Sequence, residues 1–329
     1  MKSLKFGAAG GPIEISAIGC GTGEIGGLIG KRDSFAILDY YTERGGTLID
    51  TAKVYGSWHV ADRPLSEEMI GQWMQLRGNR HKLVISTKGA HPLASNAGRT
   101  PRVTPQAIAG DIDDSLFALG TDYIDIYWLH RDDVTQPVGP IMEALNDAIR
   151  AGKIRAIGAS NWTTARIGEA NAYAAAHGLA GFAGTQVMWS AAKFEEPVYF
   201  DDTLVMMTPA DYAWCHANGV AVFAFSSQAR GVFVKAPAAG GLSNLNEEYR
   251  RYFSNAIIEG QIAVAQELAE KYRTTVSAVL LAYINSHDVP SVALAGFSKL
   301  SQAQDSLDNP DIVLTPEELQ RLGWMEIQG

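Results

Sequence analysis

Four residues of complementary chemistry stand at, or just after, the ends of short apolar runs in the sequence. In the stretch GGTLIDTAKVYG, Asp50 ends one such run and Tyr55 follows five residues later. Lys88 ends the run VISTK, and His130 ends the run IYWLH. A carboxylate, a phenol, an ammonium group and an imidazole are side chains suited to polarising and protonating a carbonyl group. The set therefore predicts acid catalysis at a carbonyl, provided that the fold brings the four residues together.

The four side chains have distinct roles in this prediction. A phenol has an ordinary pKa of about 10, so Tyr55 needs a neighbouring ammonium group, here Lys88, to stabilise the phenolate left after proton transfer. A buried ammonium group is costly unless it is paired, and Asp50 is the available partner. His130 would donate a hydrogen bond that orients the carbonyl oxygen. Acid catalysis of this kind contributes about 10²–10⁴-fold but supplies no electrons, so a reduction also requires a cofactor.

Each of these residues also has an ordinary structural interpretation. An aspartate at a strand end often caps a helix or a turn, a lysine is usually on the surface, and a histidine is usually hydrogen-bonded in the protein. A further chemical alternative is a Schiff-base aldolase, in which a desolvated Lys88 attacks the carbonyl as a nucleophile. The occurrence of all these residues at predicted strand ends favours the acid-catalysis hypothesis.

The elements that must position these residues follow from an alternation of β-rich runs and amphipathic stretches. This alternation is typical of βαβ units, and helical spacing is clear in Thr104–Leu119, where Thr104 and Pro105 form a helix start. The eight predicted strands are Ala17–Cys20, Thr47–Thr51, Leu83–Thr87, Ile124–Leu129, Ile154–Ala159, Gly184–Val187, Val220–Phe225 and Ser291–Leu294. Because no linker separates the two halves, we predict that residues 1–329 form one domain, an α/β (β/α)8 TIM barrel. In such a barrel the C-terminal strand ends share one rim, which would gather the four residues.

Further elements are predicted outside the eight repeating units. Leu4–Phe6 and Ile13–Ile15 flank a glycine-rich turn and indicate an N-terminal β-hairpin that caps the barrel floor. A capping-box pattern at Thr315 predicts a C-terminal helix. Two long irregular segments, Ala90–Val103 and Ser190–Met207, are predicted to be functional loops, because loops of this length in a compact domain usually have a function.

The composition excludes several classes of function. The chain has 329 residues, of which 47% are hydrophobic, and its formal net charge of −9 argues against a nucleic-acid partner. No apolar run is long enough to cross a bilayer and no signal peptide is evident, so we predict neither a membrane role nor export. Two cysteines without a CxxC pair fit a reducing compartment, and we expect a cytoplasmic protein. The seven histidines form no HExxH or HxH motif, so no metal site is predicted.

The motif around Asp50 and Tyr55 resembles the signature of the aldo-keto reductases. GGTLIDTAKVYG is followed by LSEEMIG, STKG resembles the lysine segment of this family, GTDYIDIYWLHRDD its histidine segment and GKIRAIGASNW its G-x-S-N turn. The resemblance extends along nearly the whole chain and is closest to bacterial members with a short C-terminus. It implies that Asp50, Tyr55, Lys88 and His130 form a catalytic tetrad with Tyr55 as general acid. It also implies hydride transfer from NAD(P)H to an aldehyde or ketone, without a metal.

The resemblance also implies a set of cofactor contacts. Ser160 and Asn161 would hydrogen-bond the nicotinamide carboxamide together with Gln186, and Phe225 would stack on the nicotinamide ring, since stacking needs only a ring face. The other positions that the resemblance assigns to the cofactor are Gly21 and Thr22, Asp50, Ser226, Gln228 and Arg230 in the pyrophosphate loop, and Ser298, Lys299, Gln302, Asp305 and Ser306 in the last cofactor segment.

The choice between NADPH and NADH depends on the last of these segments. Members that are strongly selective for NADPH often hold its 2′-phosphate with an arginine at the position of Gln302, although other branches use glutamine. Ser298 and Lys299 are also suited to binding this phosphate, with the lysine acting as a point charge. The resemblance therefore favours NADPH, with NADH as the alternative.

The substrate is expected to be a small-molecule carbonyl compound. Trp58 and Trp189 are predicted to line the substrate pocket. The polar residues of the two long loops would tolerate a hydroxylated, sugar-like substrate; they are His91, Asn96, Asp201 and Asp202. The alternative function is a cofactor-binding regulatory subunit with little turnover, similar to potassium-channel β subunits, although those subunits tend to carry asparagine at the position of His130. Oligomeric state and reaction direction are not indicated by the sequence.

Overall fold

Eight of the ten strands form the barrel that the sequence predicts. A computed structural model describes residues 1–60, 62–93 and 100–325. Its strands are β1 Ser3–Phe6, β2 Ile13–Ser16, β3 Ile18–Gly21, β4 Leu48–Asp50, β5 Val84–Gly89, β6 Ile124–Leu129, β7 Ile154–Ser160, β8 Gly184–Met188, β9 Ala221–Phe225 and β10 Ser291–Gly296. Strands β3 to β10 are parallel and close in the order β10-β3-β4-β5-β6-β7-β8-β9. Each lies within two residues of its predicted bounds, because β-rich apolar runs mark buried parallel strands well.

Helices connect the strands and cover the outside of the barrel. They are α1 Lys31–Glu43, α2 Leu65–Arg77, α3 Pro105–Leu119, α4 Val138–Arg150, α5 Thr164–Ala176, α6 Pro209–Asn218, α7 Val232–Ala238, α8 Glu247–Tyr252, α9 Asn255–Tyr272, α10 Val276–Asn285, α11 Leu300–Ser306 and α12 Pro316–Leu322. The predicted start of α3 is confirmed, since the Thr104 hydroxyl accepts a hydrogen bond from Ala107 N. The predicted capping box of α12 is also confirmed, with reciprocal bonds between Thr315 and Glu318. None of the helices in the described ranges is long and apolar enough to cross a membrane.

The predicted N-terminal hairpin is present and closes the floor of the barrel. Strands β1 and β2 pair antiparallel, with Phe6 opposite Ile13. The Phe6 ring lies 5.4 Å from the ring of Phe223 and 6.1 Å from that of Trp128, centroid to centroid. These rings belong to the apolar cluster inside the barrel. The N-terminal end of the barrel is therefore a packed core, which leaves the opposite rim for function.

Strand β4, which carries Asp50, is fixed by a buried tyrosine of α1. The Tyr41 hydroxyl donates to the carbonyl oxygens of Ile18 and Leu48 and contacts the Ser16 hydroxyl. Its ring occupies the space in which a Cβ atom on Gly46 would lie. The glycine before β4 is thus required for close packing, and the tyrosine ties β3 to β4 just below the functional rim.

The described parts of the two predicted loops lie at the C-terminal rim. Residues 190–207 contain one short 3-10 turn, Val198–Phe200, and a bridge between Met188 and Met206, and are otherwise irregular. In the other loop, His91 to Leu93 and residues 100–103 are irregular, whereas Asn96 falls outside the described residues.

Candidate active site

Asp50, Lys88 and Tyr55 meet at the C-terminal rim of the barrel. Strands β4 and β5 pair with Asp50 opposite Ser86, which brings the two strand ends together. Lys88 Nζ lies 2.6 Å from Asp50 Oδ2 and 3.3 Å from the Tyr55 hydroxyl. Lys88 and Asp50 are 1% and 2% exposed, whereas Tyr55 lines an open cleft. The ion pair is therefore shielded from water, and the phenol is its contact with the cleft.

Tyr55 retains its proton in this arrangement. Burial raises the pKa of the Tyr55 hydroxyl above its usual value, although the neighbouring charge of Lys88 lowers it. Burial alone would lower the pKa of Lys88, but the charge of Asp50 and the contact with Tyr55 outweigh this effect and raise it. Lys88 therefore lowers the pKa of Tyr55, as predicted, but by less than burial raises it. A phenolate formed by proton donation would lie next to a positive charge.

His130 follows β6 and reaches the same cleft. Its ring contacts the Tyr55 ring edge-on, with centroids 5.8 Å apart, and it lies 4.8 Å from the ring of His91. Burial, together with the nearby Arg131 and Lys88 charges, holds the pKa of His130 well below its usual value. Among the residues that the structure describes, none bonds its buried Nδ1 atom. The imidazole is therefore neutral and carries one N–H group that can donate a hydrogen bond.

The cleft above these residues has a volume of about 520 Å³. Its walls come from the C-terminal ends of seven barrel strands, β3 to β9, and the loops that follow them, as expected at the C-terminal face of a TIM barrel. Described residues that line it are Gly23, Glu24, Val54, Tyr55, Trp58, His91, His130, Arg131, Ser160, Asn161, Gln186, Val198, Tyr199, Asp201, Leu204, Phe225 and Ser226. The volume is in the range of a small-molecule site.

Three predicted carboxamide ligands are brought together on one wall of the cleft. The Ser160 hydroxyl donates to the backbone carbonyl of Gln186 at 3.0 Å, and the Asn161 side-chain amide donates to the Ser160 hydroxyl at 3.1 Å. Gln186 Nε2 in turn donates to Asp50 Oδ1 at 3.2 Å. Asn161 adopts a left-handed backbone conformation, with φ of 60°, which is uncommon outside glycine and typical of functional sites. Hydroxyl and amide groups of β7 and β8 thus converge on the side of the barrel opposite β4, and Gln186 reaches across to Asp50.

The residues that are predicted to contact the cofactor near the ends of β3 and β9 divide into two groups. Phe225 and Ser226 line the cleft, and Ser226 is held in a left-handed conformation. Thr22 is fully buried instead, and its backbone N–H and hydroxyl both bond the carbonyl oxygen of Asp50. Gly21 pairs with Asp50 across β3 and β4. The turn after β3 therefore positions Asp50, while the next two residues, Gly23 and Glu24, face the cleft.

Gln228, Asp305 and Ser306 form a separate polar cluster outside the cleft lining. Gln228 Nε2 donates to the Ser306 hydroxyl at 2.8 Å and to the carbonyl oxygen of Ser277 at 3.1 Å. The Ser277 hydroxyl donates to Asp305 Oδ2 at 2.5 Å. These bonds join the loop after β9 to α10 and α11.

The remaining predicted residues lie at two other places. The Arg230 guanidinium lies over the ring of Tyr199, 4.6 Å from its centroid, and pairs with Glu248 at 3.5 Å. At the start of α11, the Gln302 side-chain oxygen accepts hydrogen bonds from the backbone N–H and the hydroxyl of Ser298, and Lys299 is next to them. These groups thus follow two neighbouring strands, β9 and β10.

Trp189, which the sequence predicts to line the substrate pocket, lies away from the described lining of the cleft. It is 1% exposed, is not among the described residues that line the cleft, and packs against Tyr212, Tyr283 and His287. Side chains alternate between the two faces of a strand, so a residue three positions after the inward-facing Gln186 points outward, into the helical layer. Trp58, by contrast, is 50% exposed and lines the cleft, in edge-on contact with Tyr55.

Several cleft residues are not among the predicted site residues. Arg131 donates to the carbonyl oxygen of His130 at 2.9 Å and to Asp201 Oδ2 at 3.0 Å, and it joins the loop after β6 to segment 190–207. The sequence contains a signal for this residue, since it directly follows His130 at a strand end. Tyr199 has no such signal, because its place at the cleft depends on the path of a long loop with left-handed backbone at this residue.

The sequence is similar to those of known reductases and dehydrogenases. Norsolorinic acid reductase B of Aspergillus parasiticus is 35% identical over 180 residues, which cover 53% of this chain and 46% of that protein. Norsolorinic acid reductase stcV of Emericella nidulans is 28% identical over 93% of this chain and 77% of its own length. The NADP(+) aryl-alcohol dehydrogenase of Phanerodontia chrysosporium is 28% identical over 90% of this chain and 76% of its own length.

The similarity extends from these individual proteins to a whole family. A sequence model of the aldo/keto reductase family matches residues 17–325, a span that includes all eight barrel strands and the cleft residues described above. The barrel, the rim that gathers Asp50, Tyr55, Lys88 and His130, and this match agree with one another. The chain belongs to the aldo/keto reductase family.

Proposed function

We propose that the protein reduces the carbonyl group of a small aldehyde or ketone to an alcohol, with NADPH or NADH as hydride donor. The observation that supports this best is the Tyr55 hydroxyl, which lies 3.3 Å from Lys88 Nζ and lines the cleft beside His130. Tyr55 is the general acid, since it keeps its proton and can deliver it to a carbonyl oxygen in the cleft. The charge of Lys88 stabilises the resulting phenolate, and neutral His130 orients the same oxygen by donating a hydrogen bond.

The nicotinamide cofactor supplies the hydride when it is bound. The donor set of one wall suits its carboxamide, because Ser160, Asn161 and Gln186 offer hydroxyl and amide groups that are linked by hydrogen bonds. Phe225, on the neighbouring strand β9, offers a ring face for stacking. These residues would bind the nicotinamide and fix which of its faces is turned towards the carbonyl.

NADPH is the preferred cofactor in this proposal. Gln302 accepts from Ser298 through its amide oxygen, which leaves its NH₂ group and the neighbouring Lys299 to bind a 2′-phosphate. Arg230 would bind the pyrophosphate once it is released from Glu248. The name of one relative, an aryl-alcohol dehydrogenase, includes NADP(+), which supports the same preference.

Two alternative functions fit the site less well. A regulatory subunit that binds the cofactor without turnover has no need for a general acid, yet Tyr55 and His130 line the cleft and Lys88 contacts the Tyr55 hydroxyl. A Schiff-base aldolase needs a lysine that loses its proton easily, whereas the pKa of Lys88 is raised by its contacts with Asp50 and Tyr55, which outweigh burial. We further propose that residues 1–329 act as one domain in the cytoplasm, where the buried thiols Cys20 and Cys215 would stay reduced.

A substrate panel with both cofactors tests this function. The loss of NADPH or NADH absorbance would be followed with an aliphatic aldehyde, an aryl aldehyde and a methyl ketone, and cofactor binding would be measured separately by fluorescence quenching. We expect turnover with at least one carbonyl and a higher kcat/KM with NADPH than with NADH. Tight cofactor binding without turnover on the panel would support the regulatory alternative. Absence of cofactor binding would refute the proposal.

A further inference from the structure

A sharp turn directs His91 into the cleft. Ala90, between the end of β5 and His91, is fully buried and has a left-handed backbone with φ of 57°. This conformation is unusual for alanine and persists only where the surroundings hold it. Asp111 of α3 holds it here, because its Oδ2 atom accepts from Ala90 N at 2.8 Å.

Asp111 is itself fixed by two cations, and this makes the turn rigid. Lys53, from the same loop as Tyr55, donates to Asp111 Oδ1 at 2.5 Å, and Arg102 donates to both carboxylate oxygens at 3.1 Å. Arg102 also donates to the carbonyl oxygen of His91 at 3.0 Å. One buried carboxylate therefore joins the loop of the general acid to the loop of His91 and fixes the backbone on which His91 stands.

One hydrogen bond of the His91 ring fixes its tautomer. Its Nδ1 atom lies 2.8 Å from the carbonyl oxygen of Pro92. A carbonyl oxygen only accepts, so Nδ1 carries the proton and Nε2 presents a lone pair. Burial and the charge of Arg131 lower the pKa of His91 to about 4, so the ring is neutral at physiological pH. In the described part of the chain no group donates to Nε2, and the ring lines the cleft.

The neighbouring polar groups of this wall are already engaged with one another. Arg131 donates to His130 O, to Asp201 Oδ2 and to the Thr203 hydroxyl. Asp201 Oδ1 accepts from both the backbone N–H and the hydroxyl of Thr203. These bonds hold the rim together. The Nε2 atom of His91 is then an acceptor that is well placed to bind a ligand next to His130.

We propose that His91 is a specificity-determining residue that accepts a hydrogen bond from a hydroxyl group on the carbon next to the substrate carbonyl. This inference rests on the proposed function, in which His130 orients the carbonyl oxygen. The rings of His91 and His130 lie 4.8 Å apart, centroid to centroid, and both line the cleft, so a substrate whose carbonyl oxygen meets His130 presents the substituents of the next carbon to His91. A substrate without the hydroxyl leaves a desolvated acceptor unpaired, and sites of this kind discriminate strongly against such analogues. The preferred substrates are therefore 2-hydroxy aldehydes and 2-hydroxy ketones.

The test compares lactaldehyde with propanal, which differ by this one hydroxyl group. The kcat/KM of each would be measured with NADPH for the wild type and for His91→Phe, which keeps a ring against His130 but has no acceptor. We expect kcat/KM for lactaldehyde to fall by about 10- to 100-fold, the usual cost of one lost hydrogen bond to a desolvated group, with little change for propanal. His91→Gln, which retains an acceptor, should restore part of the lactaldehyde rate.

A matched control uses a histidine outside the cleft. His177, at the end of α5, is exposed and stacks on Tyr173, so His177→Phe should leave both rates unchanged. Equal losses of both rates in His91→Phe, or no loss of either, would overturn the role of His91 while the proposed function stands. No recovery in His91→Gln would also overturn it. If the wild type reduces neither aldehyde nor any other carbonyl, the proposed function itself fails and His91 loses its role with it.

Discussion

The Tyr55 hydroxyl lies 3.3 Å from Lys88 Nζ, and the same ammonium group lies 4.8 Å from the centroid of the Tyr55 ring. Tyr55 lies in the loop after β4 and Lys88 lies on β5, and the two meet because β4 and β5 are neighbours in the barrel. Lys88 is held in place by Asp50 and by the carbonyl oxygen of Thr51, so the tyrosine approaches a charge that is already fixed. This preorganised contact is what the proposed acid catalysis requires.

Tyr55→Phe should remove the general acid without disturbing the cleft. We expect kcat for aldehyde reduction to fall by about 10²–10⁴-fold, the usual contribution of general acid catalysis. The dissociation constant of NADPH should stay near the wild-type value, because the hydroxyl is not a proposed cofactor contact. Tyr173→Phe is a suitable control, since its hydroxyl bonds Glu143 on the outside of the barrel. Wild-type rates in Tyr55→Phe would show that another group donates the proton.

The buried pair Asp50 and Lys88 should show strong energetic coupling. Lys88→Met leaves the Asp50 carboxylate with bonds to Ser86 and Gln186 but without a counter-charge. Removing one partner of a buried ion pair costs about 3–5 kcal/mol of unfolding free energy. The double variant Asp50→Asn with Lys88→Met should therefore be less destabilised than the sum of the two single variants. Urea unfolding of all four proteins measures the coupling, and additive losses would argue against a direct interaction.

Glu67 should make stability depend on pH. It is fully buried in α2, and its Oε1 atom accepts from the Thr87 hydroxyl at 2.5 Å. Burial raises the pKa of Glu67 from 4.5 to about 7, although the bond to Thr87 acts in the opposite direction. Between these values the native protein keeps a proton that the unfolded chain has lost. This contribution to stability is therefore complete below about pH 4.5 and is lost as the pH rises through about 7.

The variant Glu67→Gln should remove this dependence. The pKa difference corresponds to a loss of about 3 kcal/mol at most between pH 4.5 and pH 8, and the glutamine keeps an acceptor for Thr87. Urea unfolding at pH 5 and pH 8 should show a smaller change in the variant than in the wild type. The partly exposed neighbour Glu68, which pairs with Arg63, provides the control Glu68→Gln. An unchanged pH dependence in Glu67→Gln would mean that other groups cause it.

Gly46→Ala should destabilise the protein by overpacking. A Cβ atom at this position would fall inside the ring of Tyr41, whose hydroxyl ties β3 to β4. Overpacking of this kind costs about 1–3 kcal/mol. Gly110→Ala gives the opposite expectation, because Gly110 lies inside α3 with open space around it, and alanine there should stabilise by about 0.4–1 kcal/mol. Thermal or urea unfolding distinguishes the two, and equal effects would contradict the packing around Tyr41.

The limits of sequence reasoning are visible in individual residues. Trp189 points out of the barrel because side chains alternate between the two faces of a strand. Counting from the inward-facing Gln186 would have placed it outside the barrel. Thr22 was predicted to contact the cofactor, whereas its side chain bonds the backbone of Asp50. Arg230 has a left-handed backbone conformation and its guanidinium lies over the ring of Tyr199. No local sequence pattern predicts either feature. These outcomes depend on side-chain direction, which neighbouring segments set.

The sequence by itself determined the strands, the barrel and the convergence of Asp50, Tyr55, Lys88 and His130 on one rim. It did so because apolar runs mark parallel strands, and a closed parallel barrel places all their C-terminal ends on the same side. Only the tertiary structure decided the tautomer of His91. The reason is that Asp111 of α3, far along the chain, holds the turn at Ala90, and the folded loop brings the carbonyl oxygen of Pro92 onto the ring.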